Sequence, residues 1–150
     1  MSPPSRAATE QTIDLWLGLH GALNALREAP ERMRDHLRRA EALAETLGDQ
    51  RQLGQVYAVM SLNFWVACEL DRAIDYGQRV LALAAPLGHV GLQARAHLSL
   101  GHAYYDAGDY ARAVESQGWN VATLQGELRY ERFGGNSIVA AASRAWLSRC

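Results

Sequence analysis

The sequence repeats itself with a period of forty residues, and this repeat limits the folds that the chain can adopt. Leu47-Gly48 recurs as Leu87-Gly88, and Arg72-Ala73 recurs as Arg112-Ala113. Residue size is also kept at two sets of positions that lie forty residues apart. The first set, here called the small column, consists of Gly21, Ser61, Gly101 and Ala141. In the second set, the aromatic column, Phe64-Trp65 corresponds to Tyr104-Tyr105. Fixed positions for small and large residues predict stacked copies of one structural unit.

The residues within each unit favour helices. Ala, Leu, Arg, Glu and Gln dominate, and apolar residues recur every three or four positions, as at Leu37, Ala40 and Ala44. No Asn-Gly or Asp-Gly hairpin dipeptide occurs. The predicted helices span residues 10–27, 31–47, 50–67, 70–85, 90–106, 110–125 and 137–150.

Several residues mark where these helices begin and end. Pro30 suits the first position of a helix, and Gly48 and Gly88 suit the left-handed position after one. Asp109 can cap the following helix through its carboxylate. The longest loop, RYERFGGNS, precedes the last helix, which Asn136 or Ser137 would cap.

The repeat predicts an all-α fold, an α-solenoid of about three antiparallel helix pairs and one unpaired C-terminal helix. Gly101, Gly108 and Ala113 are interpreted as contact points between helices, and Tyr104 and Tyr110 as fillers between pairs. Residues 1–9 are expected to form a disordered tail and residues 10–150 a single domain. The predicted repeats cover residues 12–48, 50–87 and 90–127, with a partial fourth at 137–150.

The segment LSLGHAYYDAGDYARAVE, residues 98–115, closely resembles a tetratricopeptide repeat (TPR). The matching residues are Leu100-Gly101, Tyr104, Gly108-Asp109-Tyr110 and Ala113. The unit before it is a degenerate copy, with Ser61 and Cys68 in place of the two glycines. Residues 12–150 also resemble the TPR region of multidomain bacterial regulators that carry an adenylate/guanylate cyclase or an AAA-type ATPase. No phosphate-binding GxxxxGK[ST] motif occurs, so neither activity is expected here.

The resemblance implies a concave groove lined by the first helix of each pair. The candidate groove residues are Gln55, Ala58, Leu62, Trp65, Arg95, Leu98, His102, Tyr105 and Asp106. Aromatic, histidine and arginine side chains of this kind suit a peptide or helix as ligand. The clamp that some family members use for two carboxylates is not expected, since its positions hold mostly Ala, Leu, Val and Ser.

Catalytic, metal and cofactor sites are not predicted. His89, His97 and His102 lack further ligands at metal-binding spacing. Cys68, His102 and Asp106 could be written as a catalytic triad, but no nucleophile signature surrounds Cys68, which is interpreted as a buried packing residue.

Composition excludes several other functions. The 150 residues carry a formal net charge of −1, which argues against nucleic acid as a partner. No unbroken apolar run predicts a membrane span, and the polar N-terminus MSPPSRAATEQ shows no signal peptide. With two widely separated cysteines, the sequence favours the cytoplasm.

The leading hypothesis is therefore a non-catalytic scaffold of a bacterial signalling protein that binds a protein or peptide in its groove. Trp146 and Leu147, on the unpaired last helix, have no cover encoded in the sequence. They predict either a longer natural protein or a homo-oligomer formed through that helix. A third hypothesis is a sensor that binds a small molecule or a peptide in the groove around Trp65, Tyr105 and His102.

Overall fold

The computed structural model describes residues 5–25, 30–135 and 137–150, and it describes only the backbone of residues 16–25, 30, 31 and 33. Within these ranges the secondary structure is entirely helical, as predicted. The α-helices are α1 (Arg6–Ala25), α2 (Pro30–Leu47), α3 (Gln50–Val66), α4 (Leu70–Ala84), α5 (Val90–Asp106), α6 (Tyr110–Thr123) and α7 (Val139–Leu147), with a short 3₁₀ helix at Gly126–Tyr130.

The helix boundaries largely follow the predicted signals. Helix α2 begins at Pro30, and Gly48 and Gly88 have the expected left-handed backbone with φ of 65° and 61°. Asp109 accepts a hydrogen bond from the Arg112 amide and caps α6. Helix α1 begins at Arg6, so residues 6–9 are helical where the sequence predicted a tail, and residues 1–4 lie outside the described part.

The last helix is shorter than predicted. It begins at Val139 and ends at Leu147, and its N-cap is Ile138, which has no capping side chain. The predicted cap at Ser137 is therefore wrong, and Asn136 lies outside the described residues.

The helices form two layers. Each helix packs against the next one along the chain, and α1, α3, α5 and α7 also contact one another in that order. In the described residues, α2, α4 and α6 make no such contacts among themselves. Helices α3 and α5 therefore have neighbours on several sides and are buried over most of their length. Helix α4 buries a single stripe that consists of Ala73, Gly77, Val80 and Ala84.

The forty-residue repeat reappears in the hydrogen bonds that end α3 and α5. The Glu69 amide donates to the Phe64 carbonyl over 2.8 Å, and forty residues later the Asp109 amide donates to the Tyr104 carbonyl over 2.8 Å. The arginine of each unit also lies over the ring of its own unit. Arg72 is 5.3 Å from the centre of the Phe64 ring, and Arg112 is 4.5 Å from that of Tyr104. The two units thus share their side-chain packing as well as their sequence pattern.

The small column of the repeat is buried in only part of the chain. Ser61 and Gly101 are buried between helices, whereas Ala141 is exposed on α7. The side-chain environment of Gly21 lies outside the described residues. Ala113 is fully buried and Tyr104 is buried, as predicted.

Three of the predicted packing roles are wrong. Cys68 is exposed and has a φ of 60°, because it is the left-handed residue that ends α3. Gly108 holds the same position after α5 with a φ of 80°, and no neighbouring atom would obstruct a Cβ there. Backbone conformation therefore explains this glycine, and close helix contact does not. Tyr110, expected to be a filler, is 55% exposed and lies against Tyr105.

Cys68 and Gly108 share a left-handed backbone conformation, so removing a side chain at one and adding a side chain at the other should change stability in opposite directions. Cys68→Gly relieves a conformation that costs a side-chain-bearing residue about 1 kcal/mol, so the free energy of unfolding should rise by about 0.5–1 kcal/mol. Gly108→Ala introduces the same strain and should lower the free energy of unfolding by a similar amount. Urea unfolding followed by circular dichroism measures both changes, and a loss of stability in Cys68→Gly would contradict this explanation.

Candidate functional site

Two neighbouring cavities lie against the layer formed by α1, α3, α5 and α7. The first, here called the large cleft, has a volume of about 470 Å³ and lies between α1, α3, α5 and the loop before α7. It is lined by Asp14, Arg51, Gln55, Val59, His89, Gly91, Leu92, Arg95, Phe133 and Gly134. The second, the small cavity, has a volume of about 170 Å³ and lies between α3, α5, described residues of the loop before α7, and the start of α7. Its lining consists of Ala58, Leu62, Arg95, Leu98, Ser99, His102, Arg132, Gly135, Ser137 and Val139.

Six of the nine predicted groove residues line these cavities. Gln55 lines the large cleft, Ala58, Leu62, Leu98 and His102 line the small cavity, and Arg95 lines both. Helical periodicity explains this grouping, because residues three, four or seven positions apart share one face of a helix. In α3 and α5 these predicted residues therefore share the face that lines the cavities.

The other three predicted residues, Trp65, Tyr105 and Asp106, line neither cavity and belong to an aromatic cluster at the adjacent end of the layer. A third ring of this cluster, Trp146 of α7, lies 6.4 Å from Trp65 and 5.3 Å from Tyr105, measured between ring centres. The Trp65 indole donates a hydrogen bond to the Asp106 carboxylate over 2.7 Å. Trp146 therefore packs against its own chain and is half-buried, contrary to the expectation that it has no cover.

His102 joins the small cavity to this aromatic cluster. Its ring centre lies 4.7 Å from that of Trp65 and 4.3 Å from that of Trp146, and the residue is only 8% exposed. Neither ring nitrogen has a hydrogen-bond partner among the described residues. Burial lowers the pKa of His102 to about 4, with a smaller opposing effect of Asp106. The imidazole is therefore neutral at neutral pH, with one donor and one acceptor unused.

Arg95 separates the two cavities without a carboxylate partner. Its side chain is partly buried, and no ion pair or hydrogen bond holds its guanidinium within the described part of the chain. Burial lowers the pKa of Arg95, although the group stays charged at neutral pH. A partly desolvated cation without a partner is costly and would gain from an anion placed in either cavity.

The loop before α7 was not predicted to contribute to the site. Phe133 has a φ of 48°, unusual for a bulky residue, and its ring packs so closely on Gly91 that a Cβ there would lie 2.8 Å from it. This contact places Arg132 and Gly134 along the cavities. The only sequence signal for this contact was Gly91 at the start of α5 together with Phe133 in the glycine-rich loop.

Potential metal ligands do not cluster in the described residues. These residues contain no group of three or more His, Cys, Asp or Glu side chains that could hold a metal ion. Cys68 is exposed at the end of α3 and is no packing residue. Within the described segments no helix is both long and apolar enough to cross a membrane.

Comparisons with known proteins give no family for this chain. No family model, no curated protein and no solved structure matches it.

The buried neutral His102 predicts a pH-dependent stability. The unfolded chain binds a proton at this histidine below about pH 6.5, whereas the folded chain does so only below about pH 4. Stability should therefore fall as the pH is lowered from about 6.5 towards 4. Between about pH 7 and pH 5, the free energy of unfolding should fall by roughly 2 kcal/mol more in the wild type than in His102→Gln. Equal losses in urea unfolding of the two proteins would contradict this assignment.

Proposed function

We propose that this chain is a non-catalytic helical-repeat scaffold of the TPR type, which binds a peptide segment of a partner protein in the large cleft. The observation that carries the proposal is the position of this cleft. It runs along the continuous layer of α1, α3 and α5, and Phe133 of the loop before α7 closes one side. A cleft of about 470 Å³ has the size of an ordinary ligand site.

The lining of the large cleft favours a peptide with an acidic residue beside an aliphatic one. Arg51 and Arg95 supply two positive charges, and Asp14 supplies one negative charge. Val59 and Leu92 give an apolar wall, while Gln55 can donate and accept hydrogen bonds to a peptide backbone. Complementary charge of this kind sets the orientation of a bound segment and its association rate.

Self-association through α7, the alternative prediction, has less support. Val139 and Ala140 are buried, and Trp146 packs on His102 and Tyr105 of the same chain. These contacts bury part of the apolar surface of α7, while Leu147 stays partly exposed. A role in a bacterial signalling regulator rests on the TPR resemblance alone and belongs to the same proposal.

A peptide-display selection on the folded chain tests the scaffold function. Enriched peptides should share an acidic residue, and Arg51→Glu should weaken their binding at least about tenfold, because it reverses a charge that lines the cleft. Arg39→Glu changes an exposed arginine of α2 that lines neither cavity, so the dissociation constant should stay within about twofold. Failure to enrich any peptide, or equal weakening by both variants, would refute the proposal.

A further inference from the structure

The small cavity has an unusual balance of charge. The guanidinium groups of Arg95 and Arg132 line it, and none of its described lining residues carries a carboxylate. Arg95 makes no ion pair in the described part of the protein, so its charge is not neutralised by the chain around it. A partly buried arginine offers two parallel N–H donors, which match the two oxygens of a carboxylate.

His102 provides a second, independent sign of a ligand. It lines the same cavity, it is more than nine-tenths buried, and both of its ring nitrogens lack partners. Leaving a buried polar group unpaired costs about 1–3 kcal/mol, and this ring has two such atoms. A ligand oxygen in the cavity would accept a hydrogen bond from the ring N–H.

The remaining walls set the size and polarity of the ligand. Leu62, Leu98, Ala58 and Val139 present aliphatic surface opposite the charged groups. The cavity volume of about 170 Å³ corresponds to about six water-sized units of roughly 30 Å³ each. That volume suits a molecule of about six to eight non-hydrogen atoms.

We propose that the small cavity binds a small organic carboxylate with a short aliphatic body. The carboxylate pairs with the Arg95 guanidinium and accepts a hydrogen bond from His102, while the aliphatic body lies against Leu62 and Leu98. Arg132 adds positive charge at the cavity wall. The two sites share Arg95, which lines both cavities, but carboxylate binding in the small cavity does not require a peptide in the large cleft.

The chain contains its own reporters for occupancy of this cavity. Trp65 and Trp146 both pack against the His102 ring, so a ligand that bonds to His102 changes the surroundings of two indoles. Tryptophan fluorescence therefore follows binding, and isothermal titration calorimetry measures the dissociation constant independently.

The experiment titrates the purified chain with 4-methylpentanoate at near-physiological salt and neutral pH. Two comparison compounds separate the parts of the site: 4-methylpentan-1-ol has the aliphatic body without the charge, and inorganic phosphate has the charge without the body. We expect the carboxylate to bind at least about tenfold more tightly than either, since a charged hydrogen bond contributes about 1.5–3 kcal/mol.

Matched variants assign the binding to the cavity. Arg95→Gln should weaken carboxylate binding at least about tenfold, while Arg129→Gln, an exposed arginine outside both cavities, should leave it within about twofold. Arg51 does not line the small cavity, so Arg51→Glu should leave carboxylate binding intact even where it abolishes peptide binding.

Three results would overturn the proposal. The first is a lack of any saturable signal from 4-methylpentanoate up to about 10 mM, which corresponds to a binding free energy weaker than about −3 kcal/mol. The second is binding of phosphate or the alcohol as tight as that of the carboxylate. The third is equal affinity of the folded Arg95→Gln and Arg129→Gln variants, with circular dichroism confirming that both retain their helices.

Discussion

The close approach of three helices at Gly77 determines how the central units of this protein fit together. A Cβ at Gly77 would lie 2.6 Å from Leu100 Cγ of α5 and 3.3 Å from Ser61 Oγ of α3, so only glycine leaves both neighbours in place. The Ser61 hydroxyl donates to the Ala73 carbonyl of α4 over 2.8 Å and lies 3.0 Å from Ser99 Oγ of α5. A tight apolar contact and a buried polar contact therefore connect α3, α4 and α5 at one point.

The orientation of the site depends on this junction. It holds α5 against α3, and Arg95, Leu98 and His102 follow one face of α5 towards α3 and the loop before α7. The same packing removes water from Arg95 and from the ring nitrogens of His102 without giving them protein partners. Stability thus comes from the small residues in the helix contacts, while the desolvated groups beside them are available for a ligand.

The sequence alone predicted the helices, most of their ends and the cavity-lining face of α3 and α5, because these follow from local periodicity and capping. The sequence did not predict the packing at aligned positions where residue size changes between one unit and the next. Gly77 aligns with Gln117 forty residues later, while Ser61 aligns with Gly101, so the small residue moves from one helix to its partner between units. It also failed for Trp146 and Phe133, whose contacts join distant parts of the chain through a loop without a periodic pattern.

The unfolding free energies of Gly77→Ala and Gly118→Ala test the central claim most directly. Both glycines lie inside helices, so helix propensity alone would make both variants more stable by up to about 1 kcal/mol. No atom lies within 4 Å of a Cβ at Gly118, and that variant should follow propensity. Gly77→Ala should instead lose about 1–3 kcal/mol, because its methyl group displaces Leu100. A Gly77→Ala protein as stable as the wild type, or more stable, would contradict the account.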